Sequence, residues 1–274
     1  MNAATLRPMR PFHLAVTLAT TLAVGGCSGP QTRPSIARVS TVPAAPRPDP
    51  QATMLAQMHQ LAPDADPGVL ALALAARDCA VAGGEVAADA KLAVIDYSRP
   101  STARRLWLFD LAGKRLLQEE FVAHGQGSGD NFARHFSNRD GSHQSSLGLY
   151  RTAETYVGDN GYSLRLDGLD PGFNDNARSR AIVMHGAWYV DPQLAARQGR
   201  LGRSHGCPAL RQQVARVVID QLKQRQLLFA YAEDAAWLQD TRSFACDGRS
   251  AQQILVAARA QPATGAGRIA TAAP

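Results

Sequence analysis

Two kinds of hydrophobic spacing divide the chain. In residues 51–87, apolar side chains recur every three or four positions, as they do on one face of a helix. Asp66 followed by Pro67 has the residue types preferred at an N-cap and a first helical turn, so a second helix is expected to begin there. From residue 88 to residue 235 the spacing is strand-like. The pattern therefore predicts a small helical segment followed by a mainly β domain.

The strand-like region contains seven apolar runs separated by turn-forming residues. They are Leu92–Tyr97, Arg105–Phe109, Leu116–Ala123, Gly148–Tyr156, Tyr162–Leu166, Ala181–His185 and Leu227–Tyr231. Two long polar connections, Gly125–Ser146 and Asp167–Ser179, interrupt them, and loops of that length are usually functional or disordered. An amphipathic helix is predicted near residues 212–225 and a short one over 250–260. We expect a mainly antiparallel sheet, with Gly125–Ser146 as a candidate lid.

Residues 1–26 have the parts of an export signal. Two arginines precede the apolar stretch Phe12–Val24, and two glycines then lead to Cys27. The arrangement resembles a bacterial lipoprotein signal, whose cleavage leaves Cys27 as a lipidated N-terminus. The alternative is an ordinary secretory signal with a chance cysteine. Ser28 after that cysteine favours the outer membrane by the same resemblance.

Residues 27–50 contain six prolines and almost no large apolar side chains, so they are expected to form an extended tether. Residues 236–274 are expected to be a C-terminal extension that ends in a flexible tail. The expected location is the periplasm, with a lipid anchor in the outer membrane, where oxidising conditions allow disulfides. Cys79 and Cys246 flank the β domain and are predicted to pair, which leaves Cys207 as a free thiol.

Composition narrows the possible functions. The 274 residues include 29 Lys and Arg and 23 Asp and Glu, and 45% are hydrophobic, which is typical of a soluble globular protein. Loss of Arg7 and Arg10 with the signal lowers the formal net charge from +6 to +4. No basic run is interleaved with aromatic residues, so nucleic acid is not an expected partner. Four cysteines are too few for a disulfide-scaffold miniprotein of this length.

Histidine and cysteine residues supply the strongest candidate chemistry. His185 ends an apolar strand, and His205 and Cys207 lie in a turn-like stretch. A thiol attacks a carbonyl as the thiolate, and a neighbouring imidazole can remove its proton, so both histidines are candidate bases. The backbone N–H groups of Gly206 and Cys207 are candidate donors to an oxyanion. Pro208 at a first helical turn would direct helix N–H groups at the sulfur.

Two other interpretations of these residues stay open at this point. A lone buried cysteine is usually a small apolar core residue. His185, His205 and Cys207 are also three potential zinc ligands, although their spacing matches none of the usual zinc patterns.

Further sequence blocks resemble a known family. Ser-His-Gly-Cys at 204–207, downstream of His-Gly at 185–186, is similar to the signature of the L,D-transpeptidase catalytic domain, the YkuD superfamily. Six other blocks resemble its murein L,D-transpeptidase branch: Val122–Gly125, Phe136–Asn138, Ser145–Tyr150, Gly161–Leu166, Asn174–Val183 and Gly199–Ser204. The similarity extends over about residues 88–235. It implies a β-sandwich or barrel with a short helix packed on it and the cysteine in a cleft.

The resemblance also implies roles for individual residues, without a metal or other cofactor. Cys207 would be the nucleophile and His185 the base, with the Gly186 carbonyl orienting the imidazole. The remaining implied positions are Ser204 and His205, which would line the site, and Gly206 and Cys207, which would supply oxyanion donors.

Members of this family act on peptidoglycan stem peptides, which are therefore the implied partner. The thiolate attacks the carbonyl that joins the third, diamino-acid residue to a terminal D-alanine, and an amine then resolves the thioester. Water in place of the amine would make the protein an L,D-carboxypeptidase. A non-catalytic wall-binding lipoprotein with the same fold is the alternative of another class.

The sequence departs from the wider superfamily directly after the cysteine. The usual arginine two residues on is absent, because Pro208 is followed by Ala209 and Leu210. Arg203 adjoins the motif and is favoured as the replacement cation over Arg178, Arg180 and Arg211.

Aromatic and histidine residues near the motif complete the set of candidates. Trp188 and Tyr189, three and four residues after His185, are candidates for lining the substrate groove. His124 lies in a second His-Gly pair after a strand, and we expect a structural role for it because one base suffices.

Overall fold

The computed structural model describes residues 49–241 and 243–260. The predicted export signal, Cys27 and nearly all of the predicted tether lie outside these residues, as does the predicted C-terminal tail after residue 260.

Nine strands form one sheet. They are β1 (Leu92–Asp96), β2 (Leu106–Asp110), β3 (Arg115–Glu120), β4 (Val122–Ala123), β5 (Gly148–Gly158), β6 (Gly161–Gly168), β7 (Val183–Ala187), β8 (Ala209–Arg211) and β9 (Leu227–Tyr231). Their order across the sheet is β3-β2-β1-β9-β5-β6-β7-β8-β4. The neighbours β1–β9 and β7–β8 are parallel and the others antiparallel, so the mainly antiparallel β fold predicted from the sequence is confirmed.

The sheet is nearly closed into a barrel. Its two edge strands, β3 and β4, are consecutive in the chain and are separated only by Phe121. Arg211 at the end of β8 donates to both carboxylate oxygens of Glu120 at the end of β3, at 2.9 and 2.5 Å. This ion pair links strands that lie far apart in the order of the sheet.

Six α-helices accompany this sheet within the residues that the structure describes. They are α1 (Pro50–Leu61), α2 (Pro67–Ala82), α3 (Pro192–Gln198), α4 (Gln212–Leu222), α5 (Ala235–Asp240) and α6 (Ala251–Arg259). Helix α2 is apolar on nearly every side because it contacts α1, α6 and the strands β1 and β9. Strands β1 and β9 are buried along their whole length, which explains their uninterrupted apolar sequences. No helix in the described residues has the length and apolar composition needed to cross a membrane.

Aspartate–proline pairs begin both N-terminal helices. The Asp66 side chain accepts the N–H groups of Gly68 and Val69, which caps α2 where the sequence predicts it. Asp49 and Pro50 repeat the arrangement at the start of α1. The predicted tether therefore extends one residue too far, since Pro50 already belongs to the helix.

A disulfide joins the two ends of the described chain. Cys79 of α2 is bonded to Cys246, which lies between α5 and α6. This is the pair predicted from the sequence, and Cys207 is the free cysteine among the described residues. The helical segment and the C-terminal extension therefore pack together, and their side chains belong to the same hydrophobic core as the sheet.

The residues after Cys207 differ from the prediction. Pro208 leads into the short strand β8, and α4 begins only at Gln212. The predicted helix start at Pro208 is therefore wrong, and no helix N-terminus points at the sulfur from that position. Residues 209–211 pair with both β7 and β4, so they form a strand of the sheet and not the first turn of a helix.

Candidate active site

Strand β7 carries His185 inside the sheet, with a neighbouring strand on each side. The residue pairs with Ser163 of β6 on one side and with Ala209 of β8 on the other, and it is 3% exposed. Its Nδ1 lies 3.0 Å from the Gly186 carbonyl oxygen, which is the contact expected for the orienting group. A carbonyl only accepts, so Nδ1 carries the proton and Nε2 of the neutral ring is free to accept one. Burial lowers the pKa of His185, and the Gly186 carbonyl opposes this effect.

Cys207 lies against the start of the same strand. Its Sγ accepts the Val183 N–H at 3.4 Å and lies 3.7 Å from the Ala181 carbonyl oxygen, to which the thiol donates. The residue is 9% exposed. Burial raises the pKa of the Cys207 thiol, while the Val183 N–H and the charge of Arg180 act in the opposite direction.

The pairing of β7 with β8 brings the segment that carries Cys207 alongside the strand that carries His185. Cys207 precedes Ala209 by two residues, and Ala209 is the pairing partner of His185. No hydrogen bond joins Sγ to the His185 ring within the part of the chain that the structure describes. The pKa of the His185 imidazole is lowered from its ordinary 6.5, and the pKa of the Cys207 thiol is raised from its ordinary 9.0. Both groups are therefore neutral near pH 7 in the free protein. Catalytic hydrogen bonds of this kind often form only with substrate bound.

The turn before Cys207 is braced by Ser204. Its hydroxyl accepts the Gly206 N–H at 3.1 Å and donates to the Cys207 carbonyl at 2.7 Å. Gly206 has φ +123°, a conformation that favours glycine, and a Cβ there would lie 2.8 Å from the Gln144 carbonyl oxygen.

These contacts correct two predicted roles. The Gly206 N–H is already used by the Ser204 hydroxyl, so it is not a free oxyanion donor. Ser204 is buried, and its hydroxyl already bridges the Gly206 N–H and the Cys207 carbonyl, so its observed role is to position the turn. The Cys207 N–H has no acceptor among the described residues and remains a candidate donor.

His205 does not lie beside the sulfur as a second buried base. Its ring is exposed and stacks on His143, with ring centroids 4.3 Å apart and planes at 8°. Gln126 holds the His143 ring through a 3.0 Å hydrogen bond to Nδ1. No sequence pattern predicts this stack, because the partners are more than 60 residues apart in the chain.

The Gly125–Ser146 loop packs directly on the turn Ser204–Cys207. Ser145 donates to the Gly206 carbonyl at 3.1 Å and accepts the Gly125 N–H at 3.0 Å. A Cβ on Gly125 would collide with the His143 carbonyl and the Gly206 backbone, so the two segments are in close contact. Ser145, the first residue of the block Ser145–Tyr150 noted in the sequence, therefore contacts the turn that carries Cys207.

The four candidate arginines have different partners. Arg203 donates to the Gly129 carbonyl at 2.8 Å and to Asp130 at 3.0 Å, which ties it to the start of the loop. Arg211 pairs with Glu120, and Arg178 pairs with Glu154 and Asp167. Arg180 is the arginine whose charge acts on the Cys207 thiol. The preference for Arg203 as the replacement cation stays a prediction.

Trp188 and Tyr189 lie beyond the end of β7. Trp188 is 76% exposed and borders an open groove of about 520 Å³ that is also lined by Asp191, Gln212 and Gln213. The Tyr189 side chain packs over Gly202, and its ring meets Trp188 edge-on at 5.9 Å. An exposed indole beside a polar groove is suited to ligand binding.

His124 occupies a buried structural position. Its Nδ1 lies 2.8 Å from Arg105, and its carbonyl accepts the Ser204 N–H at 3.0 Å. Burial and the Arg105 charge lower the pKa of His124 to about 4, so the ring is neutral. No group of three or more His, Cys, Asp or Glu side chains within the described ranges could hold a metal ion.

Several solved structures are similar to this chain. An L,D-transpeptidase from Mycobacterium smegmatis shows 13% identity and a TM-score of 0.33, over 52% of this chain and 58% of its own. L,D-transpeptidase 1 from Mycobacterium tuberculosis shows 13% identity and a TM-score of 0.29, over 53% and 62%. An L,D-transpeptidase from Stackebrandtia nassauensis shows 12% identity and a TM-score of 0.30, over 60% and 68%. The chain thus matches less than two thirds of the length of the first two.

No curated protein matches the chain. The sequence model of the L,D-transpeptidase catalytic domain matches residues 61–231, which is more than half of the chain. That range includes the sheet, the loop and both His185 and Cys207. The chain therefore belongs to the L,D-transpeptidase catalytic domain family, as its motifs predicted.

Proposed function

We propose that the protein is a cysteine acyltransferase that acts on peptidoglycan stem peptides. The observation that carries this proposal is the position of the free thiol of Cys207, two residues before the point in β8 where Ala209 pairs with His185. The His185 Nδ1 is fixed by the Gly186 carbonyl. A ring held in this way presents Nε2 as a base in a water-poor site. Membership of the L,D-transpeptidase catalytic domain family supports the choice of substrate class.

The first half-reaction forms a thioester. As Sγ attacks the carbonyl between the third stem residue and the terminal D-alanine, His185 Nε2 takes the thiol proton. The Cys207 N–H stabilises the oxyanion of the tetrahedral intermediate. The C–N bond then breaks, and the D-alanine nitrogen leaves with the proton from the His185 imidazolium.

The second half-reaction consumes the thioester. An amine of another stem or of a wall-attached protein attacks the acyl carbon, and His185 accepts its proton. The C–S bond breaks, and the sulfur recovers a proton from the imidazolium. The same site performs L,D-carboxypeptidase chemistry if water attacks in place of the amine.

The groove beside Trp188 is proposed as part of the substrate site. Its exposed indole and the polar groups of Asp191, Gln212 and Gln213 face the same open space at the end of the strand that carries His185. A long stem peptide that extends away from the sulfur would meet this surface. In the assay below, Trp188→Ala is expected to raise KM severalfold with a smaller effect on kcat.

We also propose that the protein is periplasmic and lipid-anchored through Cys27, on the basis of the N-terminal sequence. Cys27→Ser is expected to move the protein from the membrane fraction to the soluble periplasmic fraction. Retention of the variant in the membrane would contradict a lipid anchor at this residue.

The reaction is tested with tetrapeptide muropeptides and product analysis by mass spectrometry. A dimer joined between two third residues supports transpeptidation, and tripeptide with free D-alanine supports hydrolysis or an absent acceptor. Cys207→Ala should abolish both products, while a thermal melt checks that this variant remains folded. Equal product from wild type and Cys207→Ala would refute the proposed nucleophile.

A further inference from the structure

Arg180 is bound almost entirely by the loop that covers the active site. Its two terminal nitrogens donate four hydrogen bonds, to the Ser137 carbonyl (2.7 Å), the Ser146 hydroxyl (2.6 Å), the Ser142 hydroxyl (3.2 Å) and the Gln144 carbonyl (2.8 Å). All four acceptors are uncharged. By contrast, Arg178 in the same segment pairs with the carboxylates of Glu154 and Asp167.

The number of these bonds limits what Arg180 can do. A guanidinium has five N–H donors, and four of them are used within the protein. Little capacity is left for a bidentate bond to a substrate carboxylate. No carboxylate lies within salt-bridge distance of its guanidinium among the described residues, and the charge of Asp140 in the same loop acts on it from farther away.

The loop residues bound by Arg180 adjoin those that contact the turn Ser204–Cys207, which is called the catalytic turn from here on. Arg180 binds Gln144 and Ser146, and the residue between them, Ser145, donates to the Gly206 carbonyl. The Gln144 carbonyl also lies against Gly206, where there is no room for a Cβ. Fixing residues 144–146 therefore fixes the position of the turn that carries Cys207.

The segment that carries Arg180 also contacts the Cys207 sulfur. The next residue, Ala181, has a left-handed backbone conformation with φ +53°, and its carbonyl oxygen lies 3.7 Å from Sγ. The charge of Arg180 acts on the Cys207 thiol and lowers its pKa against the larger effect of burial. The other titratable groups near the thiol are His185 of β7 and the hydroxyls of Tyr97 and Tyr189, and the carboxylate of Asp140 acts on Arg180 itself. Both tyrosine pKa values are raised to about 12, so neither ring is charged near pH 7.

We propose that Arg180 is the positioning residue of this active site, which seats residues 137–146 on the catalytic turn and supplies the fixed positive charge that stabilises the sulfur anion. The inference rests on the proposed role of Cys207 as nucleophile. Thiol alkylation tests it without any peptidoglycan, so its failure can be distinguished from a failure of the proposed reaction.

The experiment measures the rate at which iodoacetamide alkylates Cys207 as a function of pH. The full-length chain is used in detergent under non-reducing conditions, and the Cys207 peptide is followed by mass spectrometry. The wild-type midpoint is expected above pH 9.0, because burial raises the thiol pKa. Arg180→Gln should shift the midpoint further up and slow alkylation at neutral pH by about three- to tenfold, which corresponds to a shift of half to one pH unit.

Two further variants separate charge from architecture. Arg180→Lys keeps the charge but loses the fork of hydrogen bonds, so its midpoint should lie closer to that of wild type than the midpoint of Arg180→Gln does. If Arg180→Gln does not fold, Arg180→Lys should still keep the midpoint within about half a unit of wild type. Arg178→Gln removes a neighbouring arginine that is paired with carboxylates, and its alkylation profile should match wild type. A folded Arg180→Gln variant with the wild-type profile would overturn the proposal, as would an equal shift in Arg178→Gln.

Discussion

At the residue scale, the buried environment acts on the two reactive groups in opposite directions. Loss of hydration favours the neutral form of each, which raises the pKa of the Cys207 thiol and lowers the pKa of the His185 imidazole. The free protein therefore holds a thiol and a neutral base near pH 7, and not a preformed thiolate–imidazolium pair. Proton transfer then belongs to the attack step, when the substrate is in place.

This arrangement predicts the acid limb of the pH–activity profile. His185 works as a base only when it is neutral, and its pKa lies below the usual 6.5. The acid limb of kcat/KM for muropeptide turnover should therefore have its midpoint below pH 6.5. A midpoint at or above pH 6.5 would mean that the imidazole is stabilised as a cation, contrary to the burial observed here.

The sequence indicates candidate reactive residues but not the groups around them. Cys207, His185 and the Gly186 carbonyl are recognisable because short motifs and a strand end fix their local geometry. The sequence does not reveal that the Ser204 hydroxyl occupies the Gly206 N–H, because this bond depends on the shape of the turn. Adjacency in sequence also favoured Arg203, whereas a long loop brings Arg180 into electrostatic contact with the sulfur.

At the element scale, long apolar runs are predictable and very short strands are not. All seven predicted runs contain strands, since each is long enough to show an apolar pattern. Strand β8 has three residues, too few to show a period, and it forms only because β4 and β7 flank it. The proline before it suggested a helix, and the sheet overrides that local preference.

The disulfide between α2 and the segment before α6 makes a testable contribution to stability. It joins residues 167 positions apart, so the double variant Cys79→Ser/Cys246→Ser is expected to lose about 2–5 kcal/mol of unfolding free energy. Urea denaturation measures this loss. Cys207→Ala is the matched control, because it removes a cysteine outside the bridge. An unchanged urea midpoint in the double variant would show that helix packing alone holds the two ends together.

At the scale of the whole molecule, the sheet nearly closes at one seam, the corner around Phe121. The edge strands β3 and β4 meet at Phe121, and the Glu120–Arg211 pair ties this corner to β8. The same strand, β8, begins two residues after the nucleophile and pairs with the strand of the base. The closure of the sheet and the alignment of the site therefore depend on the same short element.

Removing the charge at this seam should destabilise the protein. Glu120 is buried and accepts two hydrogen bonds from Arg211, so Glu120→Gln is expected to lower the unfolding free energy by about 1–3 kcal/mol. Asp220→Asn breaks the exposed Asp220–Lys223 pair and should have a much smaller effect. Equal urea midpoints for the two variants would indicate that the seam pair contributes no more than a surface ion pair.

The burial of Cys207 also affects how readily its thiol is oxidised. Peroxide and disulfide exchange both react with thiolates, so a thiol that is protonated at neutral pH and 9% exposed is a poor target for either. The compartment proposed for this chain is oxidising, which favours the Cys79–Cys246 disulfide. The same conditions would convert an exposed thiolate to a sulfenic acid or a mixed disulfide. The enzyme thus keeps its sulfur reduced through its own packing, with no resolving cysteine beside it in the described structure.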